Sequence, residues 1–123
     1  MLFASLPPLV DSHRFDVDSL NHVRLPIGYW AIDKRPDEPY ISGQAPYIRK
    51  AVTWARKHGL KVWLDLHGAP GSQNGFDNSG RAGETNWHRD PVNIERSRAV
   101  IAKWATQYVN QTDVVTAIEV VNE

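Results

Sequence analysis

The sequence predicts an α/β fold built on parallel strands, and three observations predict it. Three short runs rich in β-branched and large aliphatic residues recur along the 123 residues, and two amphipathic stretches of helical period separate them. Strand-to-helix connections are long, whereas helix-to-strand connections are short. The order β-α-β-α-β, about three β/α units, needs crossover connections and so a parallel sheet covered by its helices.

The first strand is placed at 21–27, where Pro26 sits near an end that tolerates it. The first helix, over 46–58, carries Ile48, Ala51, Val52 and Ala55 on one face and stops at Gly59. The second strand follows at 60–66. Its alternation sets Lys61, Trp63, Asp65 and His67 on one face and Val62, Leu64 and Leu66 on the other, with Trp63 expected in the core. The second helix opens with Asp90 as N-cap and Pro91 at the first helical position. Ile94, Ile101, Trp104, Ala105 and Tyr108 form its apolar side, with Arg96, Arg98, Lys103 and Gln107 mostly opposite. The third strand is placed at 114–121.

Fourteen Lys and Arg balance fourteen Asp and Glu. This neutrality argues against a nucleic-acid surface, which needs a basic footprint. No apolar run reaches the roughly 18–20 residues of a membrane helix. There is no Cys, which removes disulfides and thiolate metal sites. The five His lack ligand spacing on any one element, so neither a metal nor another cofactor is expected; His58, at a helix end, is expected to be solvated. Residues 1–10 are apolar, but no basic residue precedes them and Pro7-Pro8 would break a leader helix, so they make no convincing secretion signal.

Long loops after the carboxyl ends of parallel strands are where α/β proteins keep their sites. Those ends carry Arg24, His67 and the pair Asn122-Glu123. An unpaired buried polar group costs about 1–3 kcal/mol, so three polar strand ends in succession point to a site. Asp65 and Glu119 lie deeper in the sheet and are expected to partner a buried cation such as Arg24. The loop Gly68–Gly80 offers Ser72, Gln73, Asn74 and Asn78 around Phe76, a set suited to a hydroxyl-rich ligand with an apolar ring face. It has neither a Walker lysine nor G-x-G-x-x-G, and no helix follows it directly, which excludes a phosphate cradle and a doubly wound nucleotide-binding domain. Of the five Trp, Trp54 and Trp104 are expected to pack, while Trp30 and Trp87 stand where a ligand could meet them.

The segments Val23–Trp30, Trp54–Lys57, Val62–Gly80 and Ile118–Glu123 resemble the fungal exo-β-1,3-glucanases of glycoside hydrolase family 5. The resemblance covers 20–123, leaving 1–19 as a non-matching segment. It implies part of a (β/α)8 TIM barrel, and with it a retaining glycosidase that releases glucose from β-1,3-glucan. By the same resemblance Glu123 is the general acid/base and Asn122 the amide that bonds the sugar 2-hydroxyl. His67 is implied as a hydrogen-bonding residue of the substrate pocket, Phe76 and Asn78 as the lining of its entrance, and Arg24 as the cation beneath the catalytic carboxylates. A monomeric enzyme acting outside the cell or at the cell wall is implied as well.

Retaining chemistry needs two carboxyls about 5–5.5 Å apart, one protonated and one ionised. The second, a Glu near a later strand end, has no counterpart here, since Glu84 falls in a loop and Glu95 in a helix. A whole barrel takes about 250 residues. The chain is therefore expected to be an inactive piece of the enzyme. The alternatives are a non-catalytic carbohydrate-binding fragment and a family 5 glucanase with endo action or β-1,6 or β-1,4 preference.

Overall fold

The computed structural model describes residues 20–123; the readings of residues 1–19, with His13 among them, lie outside it. The strands are β1 (His22–Gly28), β2 (Lys61–Gly68) and β3 (Val115–Glu119), and the helices α1 (Ala45–Lys57) and α2 (Pro91–Tyr108). All three strands are parallel and lie side by side in the order β1-β2-β3. With the helices alternating between them, this is a partial (β/α)8 barrel.

Alternation divides the sheet into two unlike faces. Val62, Leu64 and Leu66 are closed to solvent and pack with Ile48, Val52 and Ala55 of α1 and with Val100, Trp104 and Tyr108 of α2. Burying side chains of this size contributes about 1.5–3 kcal/mol each, so this layer is the main source of stability. The opposite face carries Arg24, Trp63, Asp65 and His67. Trp63, expected in the core, is 41% exposed there. Its indole donates to Thr116 Oγ1 at 3.1 Å and meets His22 edge-on. The strand period of two holds, but no layer packs over Trp63 on this second face among the described residues.

The elements shift by a residue or two from their expected bounds. Asp90 caps α2 as expected, its side chain accepting from Val92 N–H at 2.9 Å. The apolar stripe of α2 runs instead through Ser97, Val100, Trp104 and Tyr108, while Ile94 and Ala105 are exposed. Arg96, expected on the solvent side, is 10% exposed. It holds Asp33 at 2.7 Å and Glu38 at 2.8 Å and lies over the Tyr29 ring. One guanidinium thus ties the long loop after β1 to α2.

β3 is shorter than expected, five residues instead of eight. A bulge sets Val62 opposite Val115 but Trp63 opposite Ala117, leaving Thr116 as the extra residue. Asn122 and Glu123 lie just past the strand, yet Asn122 N–H still donates to Leu66 O at 3.3 Å. The pair therefore stays at the carboxyl end of the sheet.

Candidate active site

Polar side chains from all three strands meet on the open face. Arg24 Nη2 lies 2.9 Å from Asp65 Oδ2, and its Nε donates to Glu119 Oε2 at 3.1 Å. Asp65 Oδ2 also receives His67 Nδ1 at 2.9 Å. A carboxylate can only accept, so in the neutral ring this contact places the proton on Nδ1 and leaves Nε2 to accept. Asp65 is fully buried. Burial dominates its titration and pushes the carboxyl above the usual aspartate range, against the His67 hydrogen bond and the Arg24 charge that pull it down.

The expected pairing of Arg24 with Asp65 and Glu119 is present, although the Arg24 side chain is 38% exposed and not buried. Its ion pairs among the described residues are these two, so it supports Glu123 only through intermediaries. Asn122 Nδ2 donates to Glu119 Oε2 at 2.6 Å, the same oxygen that Arg24 holds. Asn122 thereby has its side chain oriented from below, with one N–H still free in valence terms.

Glu123 is reached from the other side by the loop after β2. Asn78 Nδ2 donates to Glu123 Oε2, and Asn78 Oδ1 accepts from Asn74 Nδ2 at 3.0 Å. Asn74 Oδ1 in turn accepts from Phe76 N–H at 2.9 Å and fixes the turn that leaves the Phe76 ring 67% exposed. His67, Asn122 and Glu123 lie at the carboxyl end of the sheet, with Phe76 and Asn78 in the loop that follows β2. Arg24, expected at a strand end, sits instead in the first half of β1 opposite Trp63, and reaches His67 through Asp65 and Asn122 through Glu119.

Four residues expected to face a ligand do not. Ser72 is buried and bonds Ser79 Oγ at 2.7 Å. Gln73 turns inward to the backbone of His67 and Asn122. Trp30 stacks on Tyr40, centroids 4.1 Å apart, and lies so close to the chain that a Cβ at Gly68 or Gly80 would fall within 2.8 or 2.5 Å of its ring. Trp87 donates to Ser97 Oγ at 3.0 Å, against α2. Short polar groups and aromatics in a loop serve the loop's own fold as readily as a ligand, and spacing alone does not separate the two uses.

A cavity of about 560 Å³ opens between the two long loops and α2, lined by Tyr29, Glu38, Tyr40, Arg81, Asn86 and Arg96 among others. None of the six site residues lines it, so it is separate from the strand-end network. No cluster of three or more His, Asp or Glu suited to a metal occurs among the described residues, nor is any described helix long and apolar enough to cross a membrane.

The three parallel strands and the helices between them define a segment of an α/β barrel, and comparison with known proteins gives the family. The family model for cellulase, glycosyl hydrolase family 5, matches residues 11–123, and the chain belongs to that family. The match begins at residue 11, inside the segment expected not to match. A glucan 1,3-beta-glucosidase of Blumeria graminis is 59% identical over 104 residues, covering 85% of this chain and 24% of that protein. A probable glucan 1,3-beta-glucosidase A of Neosartorya fischeri is 52% identical over 113 residues, covering 92% of this chain and 27% of that one. The chain therefore spans about a quarter of the length of these relatives. Among solved structures, the rutinosidase from Aspergillus niger superposes with a TM-score of 0.80 at 20% identity, covering 95% of this chain and 34% of that one. That likeness concerns the fold.

Proposed function

We propose that residues 20–123 are the acid/base-bearing part of a retaining exo-β-1,3-glucanase that removes glucose from β-1,3-glucan. The observation that carries this reading is the joining of side chains from three strands into one polar network that ends on Asn122, with Glu123 next in the chain and its carboxylate held by the loop amide of Asn78. Two relatives named as glucan 1,3-beta-glucosidases, more than half identical over most of this chain, support the linkage.

In this reading Glu123 gives its proton to the glycosidic oxygen while a second carboxylate attacks the anomeric carbon from the opposite face. The C–O bond breaks, the aglycone leaves protonated, and a glycosyl-enzyme forms. Glu123, now ionised, takes a proton from water as that water displaces the carboxylate. His67 Nε2 accepts from a sugar hydroxyl, its ring held by Asp65. The spare Asn122 N–H bonds the 2-hydroxyl, a contact that strengthens as the ring gains oxocarbenium character. Phe76 covers the apolar face of a ring at the entrance. The attacking carboxylate comes from residues outside these 123, so the chain alone hydrolyses nothing. The assembled enzyme is a monomer that works outside the cell, where its polymeric substrate lies.

The test is a chimera in which residues 20–123 replace the matching segment of the Blumeria graminis protein. The chimera is expected to release glucose from laminarin, and the isolated chain none. Glu123→Gln in the chimera should lower kcat/KM on laminaribiose by about 10²–10⁴-fold, the usual worth of a positioned acid. Undiminished activity in that variant would contradict the reading.

A further inference from the structure

We propose that Gln73 is a positioning residue, whose amide clamps the chain that carries Glu123 to the end of β2. All three of its bonds point inward. Oε1 accepts from Ala69 N–H at 3.0 Å, while Nε2 donates to His67 O at 2.6 Å and to Asn122 O at 2.8 Å. The last bond spans 49 positions of sequence and ends on the carbonyl of the peptide that joins Asn122 to Glu123.

The clamp sits where the backbone ladder gives out. Strand pairing between β2 and β3 ends at Asp65 and Glu119, and beyond it Asn122 N–H to Leu66 O at 3.3 Å is a long bond. Without Gln73, the carbonyls of His67 and Asn122 would lose this donor at the point where two strand ends part. Asn78 holds the Glu123 carboxylate itself, but from a loop side chain exposed to solvent. Gln73 fixes the backbone and so sets where the acid can reach. A displacement of about 1 Å in such a group can lower a rate 10²-fold. The amide has both donors and one acceptor filled, which leaves no N–H to offer a sugar.

This inference rests on Glu123 being the acid, and its test separates the two ideas. In the chimera, Gln73→Met keeps the length without hydrogen bonds, and Gln73→Glu keeps the shape without donors. Each is assayed on laminaribiose, whose leaving group needs a proton, and on 2,4-dinitrophenyl β-D-glucopyranoside, whose leaving group does not. The expected result is a fall in kcat/KM of about 10²-fold on laminaribiose and less than about threefold on the dinitrophenyl substrate. Equal losses on both substrates, a rise in KM with kcat unchanged, or loss of the folded state in both variants would overturn the proposal. The first and third would make Gln73 a structural residue only, and the second a substrate contact. If Glu123→Gln loses activity while both Gln73 variants match the parent, the acid assignment stands and the clamp fails. If Glu123→Gln keeps its activity on laminaribiose, the ground for both is gone.

Discussion

Arg24 and Asp65 stand 2.9 Å apart across neighbouring strands, one side chain 38% exposed and the other closed to solvent. The contact reaches from the rim of the open face to a carboxylate buried in the sheet. It also continues on both sides, because Arg24 holds Glu119 and Asp65 holds His67. Two strand-end residues with no contact of their own, His67 and Asn122, are therefore oriented by one ion-paired centre.

Removing the cation should expose what that centre contributes. Arg24→Met leaves Asp65 buried with the His67 hydrogen bond but without its ion-pair partner. A fully buried pair broken in this way costs about 3–5 kcal/mol, and solvent access to Arg24 reduces the expected loss to about 2 kcal/mol. Arg24→Lys should recover less than half of it, since an ammonium does not span two carboxylates from a planar fork. Urea unfolding of the three proteins measures both numbers.

A second charged centre gives the chain an acid sensitivity with a defined window. Burial acts to raise the Glu38 carboxyl, but hydrogen bonds from Arg96, the Arg35 amide and Tyr29 outweigh it and hold the group down to about 2, from an ordinary 4.5. In the unfolded chain Glu38 binds its proton first as pH falls. The stabilisation is thus complete above about pH 4.5 and is lost as pH falls toward 2. Glu38→Gln should cost about 2–3 kcal/mol at pH 7 and much less near pH 2. Denaturant midpoints of the two proteins at pH 7 and pH 3 check the sign; a constant gap would contradict it.

The two faces of the sheet should respond oppositely to truncation. Trp104 is 1% exposed beneath the sheet, and Trp104→Ala should cost about 3–5 kcal/mol in any context. Trp63→Ala should cost less than about 1 kcal/mol in the 123-residue chain, where the ring is 41% exposed. In the chimera, with the remaining strands closing the barrel around it, the same change should cost about 3 kcal/mol. Thermal melts of both backgrounds measure the contrast, and equal costs would show that Trp63 does not face the barrel interior.

Much of this was legible in the sequence because it depends on period and on residue type. A strand period of two separates Val62, Leu64 and Leu66 from Asp65 and His67 whatever else surrounds them. Asp90-Pro91 marks a helix start by local geometry alone. Trp63 was misplaced because its burial depends on a layer of chain that is not among these residues. Arg96 was misplaced because its partners, Asp33 and Glu38, lie some sixty positions away in a loop without period. The same holds for Gln73, whose place in a loop of amides suggests a ligand contact: its bond to Asn122 is long-range, and no local pattern records it.

The role of Glu123 is tested most directly by replacing it with Ala in the chimera and supplying azide. The account predicts that Glu123→Ala forms a glycosyl-enzyme from 2,4-dinitrophenyl β-D-glucopyranoside, stalls, and is accelerated by azide to give β-glucosyl azide, because the anion enters the space left by the acid/base carboxylate. No acceleration would contradict the account. So would α-glucosyl azide, which would make Glu123 the attacking carboxylate instead.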